Sequence, residues 1–285
     1  MSLNVRYTMA ELFKPELQCL TPQWSEAAPA NVRAFFTLRD GGVSSGPWGN
    51  ADGIMGFNLA VHVGDNAGCV RMNRSILRDM LPSEPVFMKQ VHGTDVLVLP
   101  DDSAVSDVTE ADVEVTDRPG VVCSVLVADC LPVLLTNKEG TVVAAAHAGW
   151  RGLASGVLEA AVAKMRELAP ESEGLIAWFG PHIGPEDFEV GDDVFDAFKA
   201  ADPSLVENDG RTFKRDEVTG KLFCNLKALA VKRLHDLGVG VNSVYGVDIS
   251  TASDEKRCYS YRRDGARSGR HGAFIWIEPE AAGAE

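Results

Sequence analysis

The sequence lacks an apolar run long enough to cross a membrane. Charged or turn-forming residues interrupt every hydrophobic stretch before it reaches about 18 residues, the length that indicates a spanning helix. The N-terminal region carries Glu11, Lys14 and Glu16 where a secretory signal would be apolar, so a signal peptide is not expected. We therefore expect a cytoplasmic protein without a membrane partner.

Basic residues are in the minority. Lys and Arg number 27 against 41 Asp and Glu, and the formal net charge is −14. Binding to a nucleic-acid backbone needs clustered cations that release counterions, and the sequence has no basic stripe. Polymeric nucleic acid is therefore not expected as a partner, whereas a few local arginines can still hold a small anion.

The sequence also lacks a CxxC pair and a compact cysteine framework. Its six cysteines are scattered, and in a cytoplasmic chain of this size we expect reduced thiols. Hydrophobic residues make up 45% and charged residues 24%, as in a globular protein with a core. With no internal repeat or clear linker, one domain is expected over residues 1–285, with weakly ordered ends at 1–30 and 279–285.

Apolar periodicity predicts a mixture of helices and strands. The predicted helices cover 65–81, 153–168, 194–198 and 225–237. The predicted strands cover 32–38, 86–88, 96–99, 142–146, 175–179, 244–249 and 273–277, and segment 120–136 suits a strand, a turn and a second strand. Helices and strands do not alternate strictly, so the expected fold class is α/β (mixed α+β), with layered sheets flanked by helices.

Two polar segments are expected outside these elements. Residues 39–50 are dense in Gly, Ser and Pro and predict a long loop. Residues 101–117 are interpreted as a solvated surface connection, since a calcium site there would lack the EF-hand spacing. The acidic side chains of that segment are Asp101, Asp102, Asp107, Glu110, Asp112, Glu114 and Asp117.

Side chains with metal-binding chemistry stand where three predicted buried strands end. They are His92, Cys130 and His147. Strand ends of one sheet can converge in space, and two imidazoles with a thiolate suit a catalytic zinc site, which keeps an open position for water. Asp129, adjacent to Cys130, could orient a ligand or act as a general base.

The residues alone leave other interpretations open. Cys130 with His147 could form a nucleophile–base dyad, and all three side chains could simply be buried. Segment 149–152 (GWRG) lies between a predicted strand and a predicted helix. Its glycines either let the backbone approach an anion, with Arg151 adding charge, or allow tight packing.

A series of motifs, in order along the chain, carries a family resemblance. They are FTLRDGGVSSGP (36–47), FNLAVHVGD (57–65), KQVHGTD (89–95), VLVADCLPVLL (125–135), AAAHAGWRG (144–152), FGPHIGPEDFEVG (179–191) and YSYRRDGARSGR (259–270). Together they resemble the YfiH/laccase-domain family, also called the multicopper polyphenol oxidase or peptidoglycan-editing-factor family. The resemblance spans nearly the whole chain.

The resemblance implies a layered fold similar to the catalytic domain of cytotoxic necrotizing factor toxins. It implies zinc held by the His, Cys and His of the QVHG, ADC and HAGW motifs, which here are His92, Cys130 and His147. It also implies phosphorolysis of adenosine, inosine, guanosine and methylthioadenosine, and deamination of adenosine. The partners would be a small-molecule nucleoside and phosphate, bound by a monomer or homodimer.

The same motifs suggest further site residues. Arg39 of the TxRxGG motif could hold phosphate by two parallel hydrogen bonds. Asn58 and His62 are expected to line the pocket, and Arg263 of the YRRDG motif is a further candidate. For each of the four, hydrogen bonds that only support the fold are the competing interpretation.

The sequence departs from the family pattern at two places. Glu186 and Asp187 stand where many members carry adjacent cysteines, and residues 250–253 (STAS) replace a cysteine-containing stretch. A second, cysteine-based metal or redox site is therefore not expected.

Two alternative functions are carried forward. A peptidoglycan-precursor hydrolase would use Cys130 as nucleophile and His147 as base. A copper-loaded polyphenol oxidase (laccase-like) is disfavoured, because six histidines without HxH pairs are too few for a blue-copper centre and a trinuclear cluster. Copper could still replace zinc at a single His–Cys–His site.

Overall fold

The computed structural model describes residues 17–24, 28–207 and 210–279. The weak order predicted for the two ends falls partly on residues 1–16 and 280–285, which lie outside the described residues. Within the described part of the predicted N-terminal end, β1 (Cys19–Leu20) pairs antiparallel with β2 (Val32–Thr37).

Two sheets form the centre of the fold. The remaining strands of these sheets are β4 (Val96–Val98), β5 (Val113–Thr116), β6 (Val122–Val127), β7 (Leu131–Asn137), β8 (Val143–Ala148), β9 (Leu175–Phe179), β13 (Val244–Gly246) and β14 (His271–Ile277). One sheet has the order β1-β2-β14-β6 and the other the order β13-β9-β7-β8-β5-β4. A small third sheet combines β10 (Glu189–Val190), β12 (Leu222–Cys224) and β11 (Phe213–Arg215).

All four predicted helical segments are helical in the structure, and one further short helix, the last along the chain, was not predicted. The helices are α1 (Ala67–Arg78), α2 (Trp150–Ser155), α3 (Val157–Leu168), α4 (Asp192–Ala201), α5 (Leu226–Asp236) and the short α6 (Tyr261–Asp264). Short 3-10 turns cover Gly46–Trp48, Pro203–Val206, Val241–Ser243 and Gly265–Arg267. The predicted helix over 153–168 is divided, because Gly156 adopts a left-handed conformation with φ 98° between α2 and α3. Asn66 and Asn225 cap α1 and α5 by accepting backbone hydrogen bonds.

Alternating side chains of the six-stranded sheet build two cores. On one face, residues such as Leu135 and Ala146 pack with helical residues such as Ala161 and Leu229. On the other face, Leu134, Ala145 and Trp178 pack against residues of the four-stranded sheet, including Phe36 and Ile275. The layered mixed α+β class is therefore confirmed. No helix within the described ranges has the length and apolar character that a membrane span requires.

The apolar segment 120–136 forms two strands, as predicted, but these strands belong to different sheets. β6 is an edge strand of the four-stranded sheet, whereas β7 lies inside the six-stranded sheet. The turn 128–130 therefore passes from one layer to the other. Asp129 takes a positive φ of 86° in this turn, and Cys130 lies at the boundary between the layers.

Three local predictions are wrong. Segment 39–50 is not a continuous loop, because it contains β3 (Asp40–Ser44), which hydrogen-bonds to the side chain of Asn73 through Val43 N. Residues 86–88 form no strand and run beside β6 without a ladder. The acidic segment 101–117 is not solvated throughout, since Asp112 and Glu114 are completely buried.

Candidate metal centre

The three predicted metal ligands come together at one end of the two sheets. The donor atoms of His92, Cys130 and His147 all lie within 4.8 Å of one another, the one such group found among the residues the structure describes. Cys130 Sγ lies 3.7 Å from His92 Nε2. The two imidazole centroids are 4.7 Å apart, with the rings inclined at 68°.

Each ligand is positioned by a different element. His147 is the penultimate residue of β8 and pairs with Pro132, the second residue of β7. Cys130 directly precedes β7 and therefore lies near His147. His92 lies in the segment after residues 86–88 and has a positive φ of 60°. A non-glycine residue in this conformation needs support from its surroundings.

Asp112 provides that support. Its carboxylate accepts hydrogen bonds from the backbone N–H groups of Val91 (3.1 Å), His92 (2.9 Å) and Gly93 (2.7 Å). It also lies 2.7 Å from His147 Nδ1, which leaves Nε2 of that ring for a metal ion. A carboxylate behind a metal-binding histidine fixes its tautomer and orientation. Sequence reasoning missed Asp112, because it stands among six other acidic residues of a segment that resembles a surface connection.

The charges of this group favour a thiolate. Burial by itself raises the pKa of the Cys130 thiol, but the neighbouring His147 and His92 outweigh it and lower the pKa to about 6. Burial lowers the pKa of His147, whereas Cys130 and Asp112 raise it to about 9. Burial also raises the pKa of Asp112, yet its bond to His147 holds the pKa below the usual value. The thiolate is the form that binds metals and also the form that attacks electrophiles.

Gly149 explains why the HAGWRG motif carries a glycine beside the ligands. A Cβ atom at this position would lie 2.7 Å from His92 Cδ2, closer than Cβ atoms approach other atoms in real structures, and 3.0 Å from Cys130 Sγ. Gly152 similarly allows α2 to approach the carbonyl of Gly93, 3.0 Å from its ideal Cβ position. The tight packing expected as one interpretation of residues 149–152 is present.

The residues fit a transition-metal ion. Two imidazoles and a thiolate converge, and one imidazole has a carboxylate behind it. No fourth protein donor belongs to the group within the described part of the chain. Three protein ligands with one open position is the pattern of catalytic zinc sites. The same donors also suit copper.

A cavity of about 510 Å³ opens over the ligands, a size that suits a small organic molecule. Its apolar and aromatic lining comes mainly from Met88, Leu126, Trp150, Ile183, Phe188 and Tyr261. Its polar lining comes from Gln90, His62, Asp129, Arg151, Arg262 and Arg270, besides the three ligands. A larger hollow of about 810 Å³ lies elsewhere, lined by residues 40, 50–52, 248–250 and 253–257, and contains none of the metal-binding side chains.

Two of the other predicted site residues line this cavity. His62 lies at the solvent-accessible rim of this cavity. Partial desolvation of its ring by the surrounding cavity residues, together with the charge of Arg270, lowers its pKa. The carboxylate of Asp129 accepts hydrogen bonds from Thr251 Oγ1 (2.6 Å), Ser260 Oγ (3.0 Å) and the backbone of Arg262 (2.6 Å). Asp129 thus ties the turn between the layers to segment 251–262, and its role as a general base stays a prediction.

Arg39, Asn58 and Arg263 do not line the cavity. Arg39 donates to the carbonyls of Gly49 (2.8 Å) and Glu255 (3.0 Å). The guanidinium of Arg263 pairs with Asp264, and its remaining bonds go to the carbonyls of Thr251, Ala252 and Cys258. The competing interpretation, hydrogen bonds that support the fold, therefore describes both arginines.

Asn58 contributes to the cavity indirectly. Its amide nitrogen donates to Asp65 Oδ2 (2.9 Å) and its amide oxygen accepts from the backbone N–H of Arg270 (2.9 Å). Arg270 is a cavity residue that sequence reasoning missed, although it stands directly before β14 and thus at a strand end, like the ligands.

The two departures from the family pattern meet in space. The carboxylate of Asp187 accepts hydrogen bonds from the hydroxyl groups of Ser250 and Ser253. Oxygen atoms therefore occupy the place where cysteines were expected in other members.

Known proteins are similar to this chain in sequence. A family model described as multi-copper polyphenol oxidoreductase laccase matches residues 33–278. The chain belongs to this family. A purine nucleoside phosphorylase from Haemophilus influenzae is 42% identical over 265 residues, covering 92% of this chain and 100% of the relative.

A second relative and a solved structure also match this chain. The purine nucleoside phosphorylase YfiH of Escherichia coli is 42% identical over 260 residues, covering 90% of this chain and 98% of the relative. The crystal structure of the Neisseria meningitidis protein NMB0706 matches with a TM-score of 0.76 and 41% identity, covering 92% of this chain and 99% of that one. The resemblance to the YfiH/laccase-domain family is confirmed.

Proposed function

We propose that this protein is a zinc-dependent purine nucleoside enzyme. It would cleave adenosine, inosine, guanosine and methylthioadenosine with phosphate and would also deaminate adenosine. The observation that carries the proposal is the convergence of His92, Cys130 and His147 at the floor of a cavity of about 510 Å³. Relatives that share 42% of their residues and are named purine nucleoside phosphorylases support it.

The chain's own residues suit both reactions. A zinc ion held by the three ligands would supply a Lewis acid next to the substrate. Trp150, Phe188 and Tyr261 offer aromatic surfaces on which a purine can stack. In phosphorolysis the ribose becomes oxocarbenium-like, and the carboxylate of Asp129 provides a negative charge in the same cavity.

One experiment tests the proposal directly. Protein of measured zinc content is incubated with adenosine, with and without phosphate, and the products are separated by chromatography. We expect adenine only when phosphate is present, and inosine without phosphate. Cys130→Ala should lose both zinc and activity, while Cys69→Ala on α1 should keep both. Zinc-loaded protein that forms neither product would contradict the proposal.

The Cys130 hydrolase remains the second candidate, because the thiol pKa of about 6 and the adjacent His147 describe an activated nucleophile as well. Alkylation with iodoacetamide separates the two roles. We expect the zinc-loaded protein to resist alkylation at Cys130 and the chelated protein to react. Rapid alkylation of zinc-loaded protein would favour the hydrolase.

The copper oxidase is the weakest candidate. Three histidines lie outside the cavity and away from the metal ligands. His182 contacts the carbonyl of Gly180, and His271 accepts a hydrogen bond from the backbone of Tyr259. His235 is exposed on α5. Among the described residues, only one group of three metal donors exists. This arrangement does not supply the several copper sites of a laccase.

A further inference from the structure

The cavity over the metal ligands is rich in positive charge. The protein carries a net charge of −14, yet three arginines line this cavity and Asp129 is its one lining carboxylate among the described residues. That carboxylate already accepts three hydrogen bonds. The surplus of cations indicates that part of the bound substrate is anionic.

The three arginines differ in what their guanidinium groups contact. Arg262 donates to the carbonyls of Glu189 (2.9 Å) and Asp187 (3.4 Å), and its guanidinium lies 5.3 Å from the ring centre of Phe188. Both of its terminal nitrogens thus have protein partners. Arg262 therefore forms part of the cavity wall rather than a free anion donor.

Arg270 has a free edge. Its Nη1 donates to the carbonyls of Ser268 (2.7 Å) and Gly269 (3.0 Å), which fixes the plane of the guanidinium. Its Nε and Nη2 have no acceptor among the described residues and are not among the buried unpaired atoms, so they are open to the cavity. This edge carries two parallel N–H groups, the arrangement that binds an oxyanion through two hydrogen bonds.

The backbone of Arg270 is held as firmly as its side chain. Asn58 accepts from its N–H group at 2.9 Å, and its carbonyl accepts from Leu59 N at 3.3 Å. The charge of Arg270 also interacts with Cys130 and Asp129, which oppose the lowering of its pKa by burial. The free edge is therefore preorganised beside the metal ligands.

Arg151 supplies a second unpaired cation. Its guanidinium stacks 4.3 Å from the ring centre of Trp150 and has no hydrogen-bond acceptor in the described part of the chain. It stands two residues after Gly149, whose ideal Cβ position lies 2.7 Å from His92 Cδ2. Arg151 lines the same cavity as Arg270 and can thus add a second positive charge to it.

We propose that Arg270, assisted by Arg151, forms the subsite for inorganic phosphate, the co-substrate of phosphorolysis. This inference rests on the proposed function and replaces the phosphate role predicted for Arg39. A phosphate oxygen forms a bond to ribose C1′ while the bond from C1′ to the purine nitrogen breaks. The purine leaves with the bonding electron pair and takes the proton of hydrogen phosphate, so that ribose 1-phosphate and free base result.

Steady-state kinetics with each substrate varied in turn tests the subsite. We expect Arg270→Gln to lower kcat/KM for phosphate about 100-fold and Arg270→Lys about 10-fold, because the charge remains in lysine but the paired donors are lost. Arg151→Gln should lower it about 10-fold. The KM for inosine and the rate of adenosine deamination without phosphate should change by a smaller factor than kcat/KM for phosphate in each variant. Arg71→Gln, on the exposed face of α1, is the matched control.

Binding without turnover provides a second measurement. Inorganic phosphate should raise the Tm of the zinc-loaded wild type and leave that of Arg270→Gln unchanged. An Arg270→Gln variant with normal zinc content and an unchanged KM for phosphate would overturn the inference. Stabilisation by a nucleoside monophosphate but not by inorganic phosphate would overturn it too, since the anion would then belong to the substrate.

The failure of the proposed function has a different signature. Phosphate could stabilise the wild type through Arg270 while no nucleoside releases its base. That result would support the anion subsite and contradict phosphorolysis.

Discussion

Asp112 connects the two imidazole ligands through a single carboxylate. One oxygen contacts both His147 Nδ1 and the backbone of His92, and the other holds the neighbouring N–H groups of Val91 and Gly93. A buried carboxylate with several donors around it orders the loop and the histidine at the same time. Metal binding should therefore depend on a residue that never touches the metal.

Asp112→Asn tests this dependence. The amide group of asparagine would bring N–H donors against the backbone N–H groups, so we expect zinc affinity to fall about 10- to 100-fold. Competition with a chromophoric chelator measures the affinity. Asp102→Asn, in the exposed part of the same acidic segment, should leave it unchanged. Wild-type affinity in Asp112→Asn would show that the carboxylate does not position the ligands.

At the residue scale, the metal ligands were easier to predict from the sequence than the hydrogen-bond partners of the arginines. His92, Cys130 and His147 could be found because imidazole and thiolate groups at strand ends are uncommon and stand in distinctive motifs. Arg39 was expected at phosphate and Arg263 was a further site candidate, but an arginine's sequence position does not reveal whether carbonyl groups already surround it. Arg270 was missed for the same reason.

At the scale of elements, the outer edge of β6 is completed by side chains instead of a strand. The amide of Gln90 donates to the carbonyl of Leu126 (2.8 Å) and accepts from its N–H group (2.7 Å). Glu114 accepts from the N–H group of Ser124 (2.6 Å) in the same way. The two bonds of Gln90, together with the bond from Ser124 Oγ to the carbonyl of Val86 (3.4 Å), keep segment 86–92 beside β6 without a ladder. The predicted strand over 86–88 therefore does not form.

Gln90→Ala should therefore destabilise the protein although Gln90 is only half-buried. The buried N–H and carbonyl groups of Leu126 would lose their partners, and we expect the free energy of unfolding to fall by about 2 kcal/mol. Urea unfolding of metal-free protein measures this loss. Gln23→Ala, an exposed glutamine, is the control, and an equal effect in both variants would refute the role of Gln90.

Helices and buried strands could be predicted from periodicity, whereas interruptions and edges could not. The apolar spacing of α1 and α5 and the apolar runs in β7, β8 and β9 are local signals, and the structure confirms the elements that they predict. The break at Gly156 and the hydrogen bonds of Gln90 depend on contacts with distant residues, which apolar spacing does not encode.

At the scale of the whole molecule, a buried acid lies between the layers. One oxygen of Glu114 has no hydrogen-bond partner among the described residues. Burial raises the pKa of Glu114 well above the usual value, although Ser124 opposes the shift. The folded protein therefore keeps this acid protonated over a range in which the unfolded chain ionises it. The contribution of the protonated acid to the free energy of unfolding is complete at pH values below the pKa of glutamate in the unfolded chain, about 4.3. It is lost as the pH rises towards the pKa of Glu114 in the folded protein.

Glu114→Gln should remove this pH dependence, because glutamine resembles the protonated acid. Above pH 5, we expect wild type to lose about 1 kcal/mol per pH unit relative to the variant. Urea unfolding at several pH values between 5 and 8 checks the slope. Glu110→Gln, exposed in the same segment, should behave as wild type, and parallel curves for wild type and Glu114→Gln would contradict the buried neutral acid.

The layered class could be predicted from the mixture of elements, but the membership of each strand could not. β6 and β7 are consecutive and equally apolar, yet they belong to different sheets. Nothing in their sequence distinguishes them, because both are buried on their two faces.

The passage of the chain between layers at residues 128–130 gives the metal ion a second consequence. The segment of His92 is attached to the four-stranded sheet through Gln90 and to the start of β5 through Asp112. His147 belongs to the six-stranded sheet, and Cys130 lies where the chain crosses between the sheets. An ion bound by all three side chains would cross-link the two sheets. Loss of the metal ion would then lower the stability of the folded molecule as well as its activity.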